Sequence, residues 1–177
     1  LVASIGFHSP AMIAKMATTL DEISHGRFTL GLGAGWHQPE YTSYGFPFDH
    51  RASRFEEAYT IIRTLLREGE IDFDGSYYQI RDCALVPRGP RPAGPPLMIG
   101  SFGDRLLRAT MPTIDSWNAW YGDYGNDRGR LIDLLAKIDA VCEAVGRDPK
   151  SVARTVAPLV RMMGGVGRPG GSPEERA

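Results

Sequence analysis

Arg27-Phe28-Thr29-Leu30-Gly31-Leu32-Gly33-Ala34-Gly35-Trp36 is the stretch that decides the reading of this chain. Phe28, Leu30 and Leu32 alternate with Thr29 and Gly31, the period of a strand, so a strand is expected over Arg27–Leu32. It runs straight into the glycine-rich turn Gly31–Trp36. Glycines at the C-terminal end of a strand let a ligand come close to the backbone. Their amides can also form a small anion-binding concavity. The spacing is GxGxG rather than GxGxxG, and His37-Gln38-Pro39 follows instead of a helix, which disfavours a dinucleotide site of the Rossmann type. The alternative is a tight turn that holds no ligand.

Upstream of that strand, Ser9-Pro10 caps a helix expected to run to about Ser24 and to end at Gly26. Met12, Ile13, Met16, Ala17, Leu20 and Ile23 form its apolar face. Downstream, a second helix is expected over Arg51–Arg67, buried along Phe55, Ala58, Tyr59, Ile62, Leu65 and Leu66. A hairpin follows, with Ile71-Asp72-Phe73, a turn at Asp74-Gly75, and Tyr77-Tyr78-Gln79-Ile80. A proline-rich connector (Pro87 to Pro96) leads to the strand Leu97-Met98-Ile99. That strand ends in a second glycine turn, Gly100-Ser101-Phe102-Gly103. A short helix from Asp104 must stop near Met111, because Pro112 cannot continue it. A strand over Ile114–Trp120, a helix over Arg128–Val145 and a last strand over Thr155–Met162 complete the pattern. Leu131, Leu134, Leu135, Ile138, Val141 and Val145 are the inward face of that last helix. Alternating strands and helices imply a parallel sheet with right-handed crossovers. A (β/α)8 TIM barrel needs about 250 residues, so 177 residues read as one partial barrel domain over 1–177. A complete open sheet is the second option.

The ends support a partial domain. Leu1 starts inside an apolar stretch, and Ser172-Pro173-Glu174-Glu175 opens a helix that has no body. Truncation at both ends is therefore expected. A net charge of −1 without a basic block gives no electrostatic case for nucleic acid. No apolar run reaches the roughly 18 residues of a membrane span. Cys83 and Cys142 are read as reduced thiols, and a cytoplasmic location is expected.

Two further segments can carry chemistry. Ser101 and the amides around it precede a helix, a setting suited to phosphate. Arg105 is positioned by sequence to add a charge-assisted bond, and Asp104 opposes it unless it acts as a cap. His37-Gln38-Pro39-Glu40-Tyr41 places a histidine, a carboxylate and a phenol directly after the first glycine turn; a plain surface loop is the alternative. Asp115-Ser116-Trp117-Asn118 ends a strand and either lines a pocket or, at Trp117, fills the core. His8 follows the first strand, while His25 and His50 read as surface positions. There is no metal-ligand spacing and no nucleophile triad. An enzyme lacking these borrows its reactivity from an organic cofactor.

The run Thr19–Trp36 resembles the luciferase-like monooxygenase superfamily, and most of all its coenzyme F420-dependent oxidoreductases. Glu40-Tyr41, Tyr44–Phe48, Arg54–Glu57, Phe73–Tyr78, Gly94–Gly100 and Asp115–Asn118 agree in order, to about Pro149. The resemblance implies a TIM barrel of which this chain holds about strands three to seven. It implies F420, or alternatively FMN, bound at the C-terminal ends of the strands. The turn after the third strand, here Ala3-Ser4-Ile5-Gly6, would back the ring with a bulge or a cis peptide. Gly33, Ala34, Gly35, Trp36, His37 and Tyr41 would approach ring and phosphate, and Gly100, Ser101, Phe102 and Gly103 would hold the phosphate. Pro112 and Ser101 depart from the family pattern. Glu40 and His8 are the candidates for proton handling. The implied activity is hydride transfer between a deazaflavin and a small organic substrate. An FMN-dependent monooxygenase and a non-catalytic flavin- or partner-binding remnant are the alternatives, and homo-oligomerisation of the full-length protein is left open.

Overall fold

The computed structural model describes residues 2–160. Along the chain these form β1 (Ala3–Ser4), α1 (Pro10–Ile23), β2 (Leu30–Gly33), α2 (Gln38–Tyr44), α3 (Arg51–Glu68), β3 (Glu70–Asp74), β4 (Gln79–Ala84), β5 (Leu97–Ile99), α4 (Asp104–Thr110), β6 (Ser116–Trp120), α5 (Tyr121–Tyr124), α6 (Arg128–Ala144) and β7 (Ala153–Ala157). β1, β2, β5, β6 and β7 lie side by side in that order, each parallel to its neighbour. The order follows the chain without reversing, so the sheet lacks the switch point of a doubly wound fold. It is the order of strands in a barrel wall. α1 packs on α3, α3 on α4, and α4 on α6, a continuous row of helices over the strands.

The core lies between that row and the sheet. Leu32, Leu97, Ile99 and Trp117 come from strands, and Phe55, Ile61, Ile62 and Leu65 from α3; all are at most 1% exposed. Burying one such side chain stabilises by about 1.5–3 kcal/mol. One ion pair sits within this layer. Asp21 of α1 is 1% exposed and is held by Arg91 at 2.9 and 2.5 Å. Arg91 also donates to the Phe28 carbonyl at 2.5 Å. The proline-rich connector is thereby tied to α1 and to the approach to β2.

Several boundaries differ from the sequence expectation. On α1 the buried positions are Pro10, Ile13, Ala14, Ala17, Thr18 and Asp21. Met12, Met16, Leu20 and Ile23 are 41–70% exposed. The helix carries two adjacent apolar stripes, and the small residues beside Ile13 let it seat closely on its neighbours. β2 starts at Leu30 and includes Gly33, and β6 starts at Ser116. The hairpin loop is longer than a two-residue turn, and its second strand starts at Gln79. Glu57 of α3 causes this: its carboxylate accepts from the amides of Ser76, Tyr77 and Tyr78 at 2.8, 2.9 and 3.1 Å. β7 ends at Ala157, since Pro158 lacks the amide to continue the ladder. Met162 and the expected helix start at Ser172–Ala177 lie outside the described residues. On α6, Ile138, Val141 and Cys142 are buried, whereas Leu131, Leu134, Leu135 and Val145 are only partly so. Among the described residues no helix is long and apolar enough to cross a membrane.

Candidate functional site

A cavity of about 900 Å³ opens where β1, β2, β5 and β6 end. Parallel strands present their C-terminal ends together, and the loops that leave them there build the sites of this architecture. The wall combines Val2 just before β1, Ser4 at its end and Phe7 beyond it, Gly33 at the end of β2 and Ala34–His37 with Glu40 and Tyr41 after it, Gly100–Gly103 after β5, and Asn118, Trp120 and Asp123 at and just beyond the end of β6.

The turn after β2 is fixed from below by Tyr41. Gln38–Tyr44 forms a helix, not the loop that was the alternative, with Pro39 in its first turn. This buries Tyr41 to 1% exposure. The Tyr41 hydroxyl donates to the Ala34 carbonyl at 3.0 Å and lies 2.7 Å from Ser4 Oγ. Phe7 packs on its ring at 4.5 Å between centroids, and Phe48 at 5.1 Å. Arg51 of α3 donates to the Gly35 carbonyl at 2.7 Å. Gly35 itself has φ +74°, and a Cβ there would fall on Tyr41 Oη and 2.6 Å from Ser4 Oγ. The glycine is thus required twice, by its backbone and by its neighbours. At Gly33 and Gly100 the space a Cβ would take is approached by Val2, at 3.0 and 3.1 Å. These two glycines admit a side chain of the protein rather than a ligand.

The second turn is held by Trp117, which donates from Nε1 to the Ser101 carbonyl at 2.7 Å. Trp117 is 1% exposed and therefore belongs to the core. Lys137 also reaches this turn, donating from Nζ to the Phe102 carbonyl at 2.8 Å. Arg105 pairs with Glu56 at 2.6 and 2.8 Å and with Ser53, so it is not directed to the turn. Lys137 lies 2.7 Å from Asp104 and holds that carboxyl below the usual carboxylate range.

The structure brings together Ser4, Gly33, Ala34, Gly35, Trp36, His37, Glu40, Tyr41 and Gly100–Gly103. Ile5 and Gly6 stand behind the wall, on a small cleft under Tyr41. There the chain makes one 3-10 turn over Ile5–Phe7, in place of the bulge or cis peptide that the resemblance implied; the cis peptide among the described residues is Val86–Pro87. His8 is exposed, outside the cavity wall, with Nδ1 3.4 Å from the Ser4 carbonyl. Sequence reasoning missed Val2, Phe7, Trp120 and Asp123. Trp120 closes a strand and Asp123 follows within one turn, which is the signal that strand-end position carries in a parallel fold. Burial raises the Asp123 carboxyl above its ordinary value, with a backbone hydrogen bond at Trp120 opposing. Asn118, 5% exposed, donates to Thr155 Oγ1 at 2.8 Å.

Two features describe what the cavity can accept. Trp36, Phe102 and Trp120 are 68, 45 and 38% exposed and all face it, giving flat apolar surface at three strand ends. The amides of Ser101, Phe102 and Gly103 donate to no protein acceptor among the described residues. A cavity of this size lies in the range that holds small molecules and organic cofactors. A family model described as luciferase-like monooxygenase matches residues 2–162.

The chain belongs to the luciferase-like monooxygenase family. It is 32% identical over 152 residues to a pyrimidine monooxygenase RutA of Agrobacterium fabrum, covering 83% of this chain and 41% of that protein. The RutA of Methylobacterium radiotolerans is 34% identical over 161 residues, 87% of this chain and 39% of that one. The luciferase-like chain thus spans about two fifths of the length of these relatives. Among solved structures, the coenzyme F420-dependent tetrahydromethanopterin reductase of Methanopyrus kandleri superposes with TM-score 0.71 at 19% identity, over 88% of this chain and 47% of that one. A riboflavin lyase bound to modified FMN and riboflavin gives 0.72 at 18%, over 88% and 39%. At such identities the likeness is one of fold.

Proposed function

We propose that this chain supplies the cofactor cradle of a (β/α)8 barrel, truncated here to about strands three to seven, and that the complete protein is a flavin-dependent monooxygenase using FMN. The observation that carries the reading is the cavity at four parallel strand ends, walled by exposed aromatic rings and bordered by unengaged amides. Pyrimidine monooxygenases at 32–34% identity favour oxygen chemistry. The residues fit the group: Trp36 and Phe102 offer faces for a planar ring, and the amides of Ser101–Gly103 offer donors for a phosphate.

Reduced flavin supplies two electrons to oxygen when bound, whereas a deazaflavin supplies hydride. The chain's own part is positioning. Tyr41 and Arg51 hold the Gly33–Trp36 turn rigid, and Trp117 holds Gly100–Gly103. Phe7, Trp36 and Trp120 give the wall its apolar surface. Glu40 and Asp123 are the carboxyls that can move protons at the cavity, Asp123 being the one held protonated to higher pH by burial. His8 has no such position. Among the described lining residues there is no Lys or Arg, so the backbone amides of Ser101–Gly103 are the donors left for the phosphate.

The second reading, an F420-dependent oxidoreductase, is favoured by the run Thr19–Trp36. Titrating the full-length protein with FMN and with F420, each followed by quenching of cofactor fluorescence, separates the two. Saturable FMN binding with oxygen uptake in the presence of a flavin reductase supports the first reading. F420 binding without FMN binding replaces it with the second, and binding of neither sinks both.

A further inference from the structure

The hydrogen bonds beneath the cradle have a direction that sequence alone does not reveal. A phenol has one proton. The Ala34 carbonyl can only accept, and it lies 3.0 Å from the Tyr41 hydroxyl. If the Tyr41 proton pointed elsewhere, two oxygens would face each other lone pair to lone pair, beside a ring that is 1% exposed. The proton therefore goes to Ala34. The 2.7 Å contact between Tyr41 and Ser4 must then be made by the Ser4 proton. Nothing in the packing lets the phenol turn away. Phe7 and Phe48 hold its ring, and Gly35 and Gly6 leave room only for the ring as placed.

Ser4 lines the cavity. With its own proton committed to Tyr41, its oxygen can present only lone pairs there. We propose that Ser4, polarised by Tyr41, is an obligate hydrogen-bond acceptor that reads an N–H edge of the bound ring. In oxidised FMN that edge is N3–H of the pyrimidine ring, the ring system's one N–H. The same polarity rejects an anion at Ser4, leaving phosphate to the donor amides after β5. β2 lies between β1 and β5, so the acceptor and donor ends are separated by two inter-strand spacings, roughly 9–10 Å. Tyr41 is the positioning residue and Ser4 the one that touches the ligand. The inference rests on the flavin reading above.

The test compares FMN with N3-methyl-FMN on the full-length protein, by quenching of flavin fluorescence. Wild type should bind FMN about tenfold more tightly than the methylated form, the size expected for one hydrogen bond between neutral groups. Ser4→Ala should lose that factor on FMN and bind the two alike, and Tyr41→Phe, which frees the Ser4 proton, should narrow the gap. Equal binding of both ligands by wild type overturns the inference and leaves the flavin reading standing. A Ser4→Ala variant with unchanged FMN affinity also overturns it, since a merely steric contact with the methyl group would leave FMN untouched. Failure of wild type to bind either ligand sinks the flavin reading and the inference together. Infrared spectra of ligand-free protein labelled at tyrosine give an independent arm. The C–O stretch of Tyr41, isolated by subtracting Tyr41→Phe, should shift in Ser4→Ala from a phenol that donates and accepts to one that only donates; no shift overturns the relay.

Discussion

Gly35→Ala is the sharpest test of how the cradle is built. The new methyl group meets two separate costs. Gly35 sits at φ +74°, and a left-handed backbone costs an L-residue about 1–2 kcal/mol. The methyl group would also overlap Tyr41 Oη and come within 2.6 Å of Ser4 Oγ. Tyr41 would have to withdraw and lose its bonds to Ala34 and Ser4, each contributing about 0.5–1.5 kcal/mol. The sum is about 2–5 kcal/mol, a large share of the roughly 5–15 kcal/mol that a folded domain has. Urea unfolding of the full-length protein reads it as a lower midpoint at unchanged slope. Two companions make the result specific. In a Tyr41→Phe background the same substitution should cost less, because the nearest atom it strikes is gone while Ser4 Oγ at 2.6 Å and the ring Cζ at 2.8 Å remain, so the two changes should be non-additive. Gly103→Ala should be nearly neutral, since a Cβ there meets nothing within 4 Å and φ is −71°. A Gly35→Ala effect below about 0.5 kcal/mol, the range of an ordinary surface change, would show that neither the backbone nor Tyr41 requires glycine there.

Arg91→Ala leaves the Asp21 carboxylate, 1% exposed, without its partner, and should cost about 3–5 kcal/mol by urea unfolding; Asp21→Asn with Arg91→Met together should cost less than Arg91→Ala alone. Trp117→Phe removes the bond to the Ser101 carbonyl and should weaken FMN binding while Ser101→Ala does so less, as read by fluorescence titration. Asp123 should carry a pH signature. Its folded carboxyl binds the proton more tightly than the unfolded one, so stability should fall as pH rises from the ordinary carboxylate range through the folded value, then level off. Asp123→Asn should flatten that fall in unfolding measurements at acid and neutral pH; an unchanged profile removes Asp123 as its source.

Much of the fold was legible because its signals were local. Leu97–Ile99 and the start and stop of the Asp104 helix follow from apolar runs, glycine and Pro112. The stripe Phe55, Ala58, Tyr59, Ile62, Leu65 and Leu66 is buried as its spacing implies. The α1 face was misread because Met12 and Ile13 are neighbours on the helix, and a period cannot say which of two adjacent apolar stripes meets the core. The hairpin turn was misplaced because Glu57, remote in sequence, takes the amides of Ser76–Tyr78. The two glycine turns that wall the cavity are visible in the sequence, yet the reason for the glycines is not. Gly33 and Gly100 make room for Val2, and Gly35 for Tyr41, contacts that only the folded chain brings together. Asp123 carried no motif and became visible only from its place beyond the end of β6.

The cavity at the ends of β1, β2, β5 and β6 is proposed to hold the ring and phosphate of a flavin. A crystal structure of the full-length protein with FMN tests this most directly. The ring should lie against Trp36 and Phe102, with its N3 edge on Ser4 and the phosphate on the amides of Ser101–Gly103. FMN bound away from these strand ends, with the cavity filled by other residues of the protein, would contradict the proposal.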